Sequence, residues 1–461
     1  MRALVLLLCL LSAQAWGATY YIDSRCVTDG TGATNDCANG ATGPKNTLPT
    51  PVASDVWHIA RGSTFATVAQ ITLQSSMTID AYGTGDKPII SCTCGASDVT
   101  LYAFNKSSIT FRDLDVRRNA TSDIRGVITL QGTGGGHLLD GVTLSGGYNN
   151  LRILSDAPSI TVMNSTFSSA YDDNIYADVS VAFTVTGSTF STPSTGTSTG
   201  DNIQIDSWDG TATITNNVMT PSDNTKQGLI ANASLTSAAR LVATGNTVTG
   251  GKYGINTSVG AVVASNYLTG QSERGINFNP QYASIEQRAA GNIISGSMTT
   301  AGIYIEDASA VAVNATVYNN TLLGAMSRGI ALKSDVTSGT VTALNNIIVG
   351  DNSTGQIGFG CGTVCAQGSE NYTRFYNLET NSSEAEGANS TTGDPQFTGG
   401  TSPTTASGFK LLPSSPLRRT GFDLNLGNIQ DHGNRAFSHP PSIGAWEAAS
   451  GDVAEERTIR D

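Results

Sequence analysis

An all-β solenoid is the fold this sequence predicts, and three observations predict it. A glycine or asparagine ahead of an aliphatic–polar–aliphatic triplet returns about once per 20 to 30 residues, which is the mark of a repeat architecture. It reads Arg125-Gly126-Val127, Asn149-Asn150-Leu151, Asp173-Asn174-Ile175, Asp201-Asn202-Ile203, Gln227-Gly228-Leu229, Tyr253-Gly254-Ile255, Arg274-Gly275-Ile276, Ala301-Gly302-Ile303 and Arg328-Gly329-Ile330. A second series, asparagine before an aliphatic pair, runs beside it at Asn217, Asn246, Asn266, Asn292, Asn320 and Asn346. No run of ten or more residues carries the 3.6-residue spacing that a helical solenoid needs. Two interleaved series with one shared period describe a sheet that coils.

Such a coil stacks its turns at strand spacing, about 4.8 Å, so equivalent residues form columns along the axis. Alternation sends Ile175 and Ala177, Ile203 and Ile205, Leu229 and Ala231, Ile276 and Phe278, and Ile303 and Ile305 inward. The asparagine column reads as a ladder at a turn, each side-chain amide donating to the next.

The chain has 461 residues, long for one compact core and ordinary for a solenoid that grows by adding turns. Acidic residues outnumber basic ones by 37 to 25, and such a surface repels phosphate backbones, so nucleic acid is not an expected partner. Arg2, the apolar run Ala3 to Leu11 and the small residues Ala13-Gln14-Ala15 read as an export signal over residues 1–17. No segment is long and apolar enough for a membrane span. Cys9 leaves with the signal, and Cys26, Cys37, Cys92, Cys94, Cys361 and Cys365 are expected to form disulfides near the two ends, in connectivity the sequence leaves open.

Residues 18–106 read as an N-terminal cap and first turns, 107–350 as the main coil, 351–447 as a long loop and closing module, and 448–461 as a charged, disordered tail. The stretch Ser191 to Gly200 reads as a loop bordering a cleft. Three segments near the start, Tyr20-Tyr21-Ile22-Asp23-Ser24 with Gly43-Pro44-Lys45-Asn46-Thr47-Leu48, Ala60-Arg61-Gly62-Ser63-Thr64-Phe65, and Ile79 to Ile90, resemble the opening of secreted right-handed parallel β-helix proteins of the pectate-lyase-like superfamily. Asp394-Pro395-Gln396-Phe397, Ser414 to Leu417, Asp431 to Arg435 and Pro441 to Glu447 resemble their closing module. The resemblance covers nearly the whole mature chain. It implies a right-handed parallel β-helix and leaves the reaction open, because this architecture hosts lyases, hydrolases, epimerases and adhesins.

Charge falls in columns. Asp173 and Asp201 precede the glycine-equivalent position on adjacent turns, and Asp178 and Asp206 follow at the second outward position, with Asp172 and Asp209 nearby. Clustered carboxylates raise one another's pKa, and an oxygen-only set suits Ca2+. Lys226, Lys252 and Arg274 follow on the next turns. The expectation is a secreted, monomeric lyase acting on an extracellular, uronate-containing polysaccharide by β-elimination. In it Asp173, Asp178, Asp201 and Asp206 surround a calcium, Lys226 serves as base, and Lys252 and Arg274 orient the substrate carboxylate. Tyr176, Gln204, Trp208 and Tyr253 are the expected sugar contacts. The plainer readings are turn chemistry for the aspartates and surface ion pairs for the lysines. The alternatives in function are a glycoside hydrolase using two of the same aspartates and a non-catalytic glycan-binding protein. Gly196 to Gly200 matches a nucleophile-elbow pattern but lacks a following helix, and His58, His137, His432 and His439 lie outside the acidic columns.

Overall fold

The computed structural model describes residues 17–447 except 96–97, 119–125, 155–158, 179–181, 192–199, 207, 233–236, 283–284, 308–310, 335, 337, 362–367, 384–385, 425–428 and 434. The export signal, the tail 448–461, most of the expected loop 191–200 and Cys365 therefore lie outside the described residues. The described chain forms three parallel sheets of 14, 14 and 13 strands, wound as a right-handed parallel β-helix with almost no helix. Each turn lays one strand in each sheet, as in Val56–Ala60, Thr64–Thr67 and Ile71–Thr72, before Thr78–Tyr82 returns to the first sheet.

The bend from the first sheet to the second rests on one residue in the left-handed region, for example Asn216 (φ 55°), Ser265 (57°), Asn319 (53°) and Asn345 (57°). Short polar side chains and glycine tolerate that region. The next residue in each turn is the ladder asparagine. Nδ2 of Asn217, Asn246, Asn266, Asn292 and Asn320 donates to Oδ1 of the following rung at 3.0, 3.0, 2.9, 2.9 and 3.0 Å. Each Oδ1 also accepts the backbone N–H of the rung before. The amides are fully buried, so every rung satisfies groups that the interior would otherwise leave unpaired.

The aliphatic inward positions expected above are all fully buried in one continuous core. The repeated glycine has a packing cause. A Cβ on Gly228 would stand 2.5 Å from Val248 Cγ1, and one on Gly275 the same distance from Ile294 Cγ2. The second sheet's aliphatic side chains fill that space. Earlier turns use asparagine there instead, and Asn150, Asn174 and Asn202 form a second buried ladder at 2.8 and 3.0 Å.

One difference from the sequence reading concerns the C-terminal end. The coil continues past residue 350, with strands Ile357–Cys361, Gly368–Asn371, Arg374–Tyr376, Thr380–Ser382 and Thr391–Thr392 where a long loop was expected. The closing module then turns back along the outside. Phe397, Phe409, Leu417, Ile443 and Ala445 pack on Ile293, Ile347 and Val349 of the second sheet, and Asn319 Nδ2 donates to the Ser442 carbonyl at 2.7 Å. Those outward aliphatic residues explain the module's position: the second sheet is apolar on both faces there. Disulfides join Cys26 to Cys37 and Cys92 to Cys94. The module's described apolar residues pack on the second sheet and, through Leu424 and Ile429, on the first.

Candidate active site

The third sheet carries the acids. Strands Asn149–Leu154, Ile175–Asp178, Ile203–Asp206, Gln227–Ala231 and Tyr253–Thr257 lie side by side on consecutive turns. Their register pairs Arg152 with Tyr176 and Leu154 with Asp178. It then pairs Tyr176 with Gln204 and Asp178 with Asp206. Strict in–out alternation over Ile175–Asp178 and Ile203–Asp206 leaves those four partners half-buried on the outer face. Asp173 and Asp201 stand just ahead of these strands.

The four aspartates divide into two kinds. Asp173 and Asp201 are 1% and 3% exposed. Asp173 Oδ1 accepts the backbone N–H of Asp201 at 2.7 Å, and its Oδ2 faces Asn149 Nδ2 at 3.3 Å. Asp201 Oδ1 accepts the backbone N–H of Gln227 at 2.6 Å, while its Oδ2 has only a long contact, 3.4 Å, to Gln227 Nε2. Burial pushes the Asp173 carboxyl well above the usual range, and the charges of Asp172 and Asp201 add to that. Burial likewise raises Asp201 to about 8; the Gln227 N–H opposes the shift, Asp172 adds to it and Lys226 offsets part of it. Asp201 therefore holds a proton at neutral pH. Asp178 and Asp206 are the outer pair. Asp206 Oδ2 accepts from Gln204 Nε2 at 2.6 Å and its Oδ1 from Asn232 Nδ2 at 2.8 Å. Tyr176 stands over them, its phenol raised to about 12 by burial and then by Asp206 and Asp178.

The expected cations stack on consecutive turns, the Lys252 N–H donating to the Lys226 carbonyl at 2.6 Å and the Arg274 N–H to the Lys252 carbonyl at 3.3 Å, but their side chains take different partners. Lys226 is buried, and its charge acts on Asp201 and on Asp223. Lys252 and Arg274 instead belong to a separate cluster. Arg274 bonds Asn277 Oδ1 and Glu306 Oε1 through NH1 at 2.8 and 2.9 Å and reaches Glu273 Oε1 at 3.4 Å. Its guanidinium lies 4.0 Å from the Tyr304 ring centroid and 5.1 Å from that of Tyr253. Lys252 pairs with Glu273 at 3.5 Å and lies 4.9 Å above Tyr253. Both are thus paired with acids that the column reading did not include. Trp208 is also corrected: it is fully buried in the core and presents no face to a sugar. Tyr176 and Gln204 keep their outward placement, and Tyr253 is half-buried beneath Lys252.

A calcium bounded by all four aspartates does not fit this geometry. Among the described residues no three of these carboxylates bring an oxygen each within 4.8 Å of one another, and six to eight oxygens are what the ion takes. Two of the four are buried and committed to backbone N–H groups of the next turn.

The sequence reading missed Gln227 and Arg152. Gln227 lies directly in the Asp173–Asp201 column, one turn on, and its Oε1 accepts from Asn256 Nδ2 at 3.0 Å. Asn277 Nδ2 in turn donates to Asn256 Oδ1 at 2.9 Å. The signal was present as the residue before Gly228, but a neutral side chain attracts no attention in a search for charge.

No family model matches the chain, and no curated protein matches its sequence. Its neighbours among solved structures are a pectate lyase and other right-handed parallel β-helix carbohydrate-active enzymes. Pectate lyase Pel9A is 13% identical over 94% of this chain and 97% of that one, with a TM-score of 0.42. The A-module of mannuronan C-5 epimerase AlgE4 from Azotobacter vinelandii is 12% identical over 74% and 91%, at 0.40. A hyperthermoactive exopolygalacturonase from Thermotoga maritima is 10% identical over 71% and 84%, at 0.32. The likeness is one of fold. Among the described residues no helix is long and apolar enough to cross a membrane.

Proposed function

We propose that this chain is an exported enzyme that breaks glycosidic bonds in an extracellular polysaccharide, with Asp201 as proton donor and Asp206 as the carboxylate that assists attack at the anomeric carbon. One observation carries this reading. Asp201 is buried at the start of its turn with its carboxyl raised to about 8, while Asp206, on the outer face of the same turn, is held by two amide donors. Environments that split two acids in this way suit one for each half of acid–base catalysis. In hydrolysis the Asp201 proton goes to the departing glycosidic oxygen, and water delivers its oxygen to the anomeric carbon and its proton to Asp206. Asp178 and Tyr176 border the same spot.

Elimination on a uronate is the second reading, and the burial of Lys226 beside Asp201 favours it. There Lys226 removes the proton next to the substrate carboxylate and Asp201 protonates the leaving oxygen. Incubation with neutral and uronate polysaccharides separates the two, since elimination leaves an unsaturated product that absorbs ultraviolet light and hydrolysis yields reducing ends without it. Absence of both signals on every polymer that the protein binds sinks the catalytic reading and leaves a glycan-binding protein.

A further inference from the structure

Upstream of the acids, the third sheet carries an outward-facing aromatic pair. Tyr102 and Phe104 lie two residues apart on strand Leu101–Phe104, so both point outward. Their ring planes are nearly parallel, 15° apart, with centroids 6.5 Å apart. Tyr102 Oη donates to Gln131 Oε1 at 3.1 Å, which holds the ring against its neighbour turn. Phe104 is 48% exposed. The other exposed phenylalanine among the described residues, Phe422, tilts by 46° against Tyr372 in the closing module. The third-sheet pair is the one that combines near-parallel rings with an exposed phenylalanine among the described residues.

The pair is in line with the acids. Register runs from Phe104 to Gln131, from Gln131 to Leu154, from Leu154 to Asp178 and from Asp178 to Asp206. All four positions after Phe104 are half-buried on the outer face. At strand spacing Phe104 stands about 14 Å from Asp178 along the axis. Gln131 and Leu154 between them carry no charge, and Lys106 at the pair's edge is held by Gln74 Oε1 at 2.8 Å. The exposed Phe104 ring, with the Tyr102 hydroxyl and the Gln131 amide beside it, matches the C–H face of a pyranose ring, whose hydroxyls lie at its edge.

We propose that Tyr102 and Phe104 form a distal binding site for a pyranose ring of the same polysaccharide chain that is cut at Asp201 and Asp206, the chain running along the Phe104–Gln131–Leu154–Asp178–Asp206 column. The proposal rests on the acids being the cutting site, and it adds a long, axially aligned substrate that spans several turns. An enzyme with such a track grips polymer interiors.

Binding and cutting are read separately. In native gels cast with polygalacturonate, alginate or xylan, the wild-type chain is retarded by at least one polymer. Phe104→Ala weakens that retardation about threefold to tenfold in apparent affinity. Phe104→Trp restores it, and Phe104→Leu, apolar but without a ring face, does not. In kinetics Phe104→Ala raises KM for the polymer with kcat unchanged and leaves a disaccharide substrate unaffected. Equal retardation of Phe104→Ala and wild type, no retardation by any of the three polymers, or full rescue by Phe104→Leu overturns the proposal. So does sedimentation in which Phe104→Ala alone converts a dimer to a monomer, which would assign the pair to a second copy. Full activity in Asp206→Asn would instead refute the cutting site while the gel result stands.

Discussion

Asp173 and Asp201, 28 residues apart in sequence, are joined across one turn of the coil, the carboxylate of the first accepting the backbone N–H of the second at 2.7 Å. Asp201 repeats the contact with Gln227 at 2.6 Å. The acids are thus built into the wall and share it with the outward pair Asp178 and Asp206.

Removal of either half of the acid–base pair should abolish turnover without unfolding the coil. Asp201→Asn and Asp206→Asn are expected to lower kcat on a cleavable polymer by about a hundred- to ten-thousand-fold. Thermal midpoints measured beside the rates show whether folding is intact. Wild-type rates in a folded Asp206→Asn protein would refute the assignment.

The raised Asp201 carboxyl has a definite pH signature. Its folded value, about 8, lies far above an unfolded aspartate near 3.9. Between those two values the folded chain holds a proton that the unfolded chain has released, so this group's contribution to stability falls as pH rises from about 4 to about 8 and is level beyond. Asp201→Asn removes that dependence. The variant is expected to gain in melting temperature over wild type at pH 8 and to gain little at pH 4. Activity that needs the proton falls as pH passes about 8. A thermal-shift series across pH tests the first expectation and a rate profile the second.

Arg274 should be dispensable for chemistry. Its donors go to Asn277, Glu306 and Glu273, so Arg274→Lys is expected to keep kcat within about threefold while costing about 1 to 2 kcal/mol of stability through donors that one ammonium does not replace at all three acceptors. A collapse of kcat in a protein with wild-type melting would return Arg274 to the active site.

Chelation is expected to leave the rate unchanged within about twofold, since the four aspartates do not close around one ion. Loss of activity in chelator that calcium restores would contradict the metal-free reading.

The asparagine ladder is a stability element. Asn266 accepts from Asn246 through both its backbone N–H and Nδ2, and donates to the Ala243 carbonyl and to Asn292. Asn266→Ala leaves several buried groups unpaired and should cost about 2 to 4 kcal/mol, read as a lower unfolding midpoint. A midpoint equal to wild type would show that the rungs do not depend on one another.

Period and alternation alone determined the coil, the inward set from Ile175 to Ile305, the ladder from Asn217 to Asn346 and the pairing of Asp178 with Asp206. All of these follow from one rule, that residues one period apart become neighbours along the axis. Only the tertiary structure decided depth and partnership. Trp208 went into the core, Asp173 and Asp201 sank into the wall, Glu273 and Glu306 claimed Arg274, and the closing module returned along the second sheet. The physical reason is that a period says which residues are stacked, while burial and charge pairing depend on what approaches from other turns and other strands, at distances of a few ångströms that no spacing in the chain encodes.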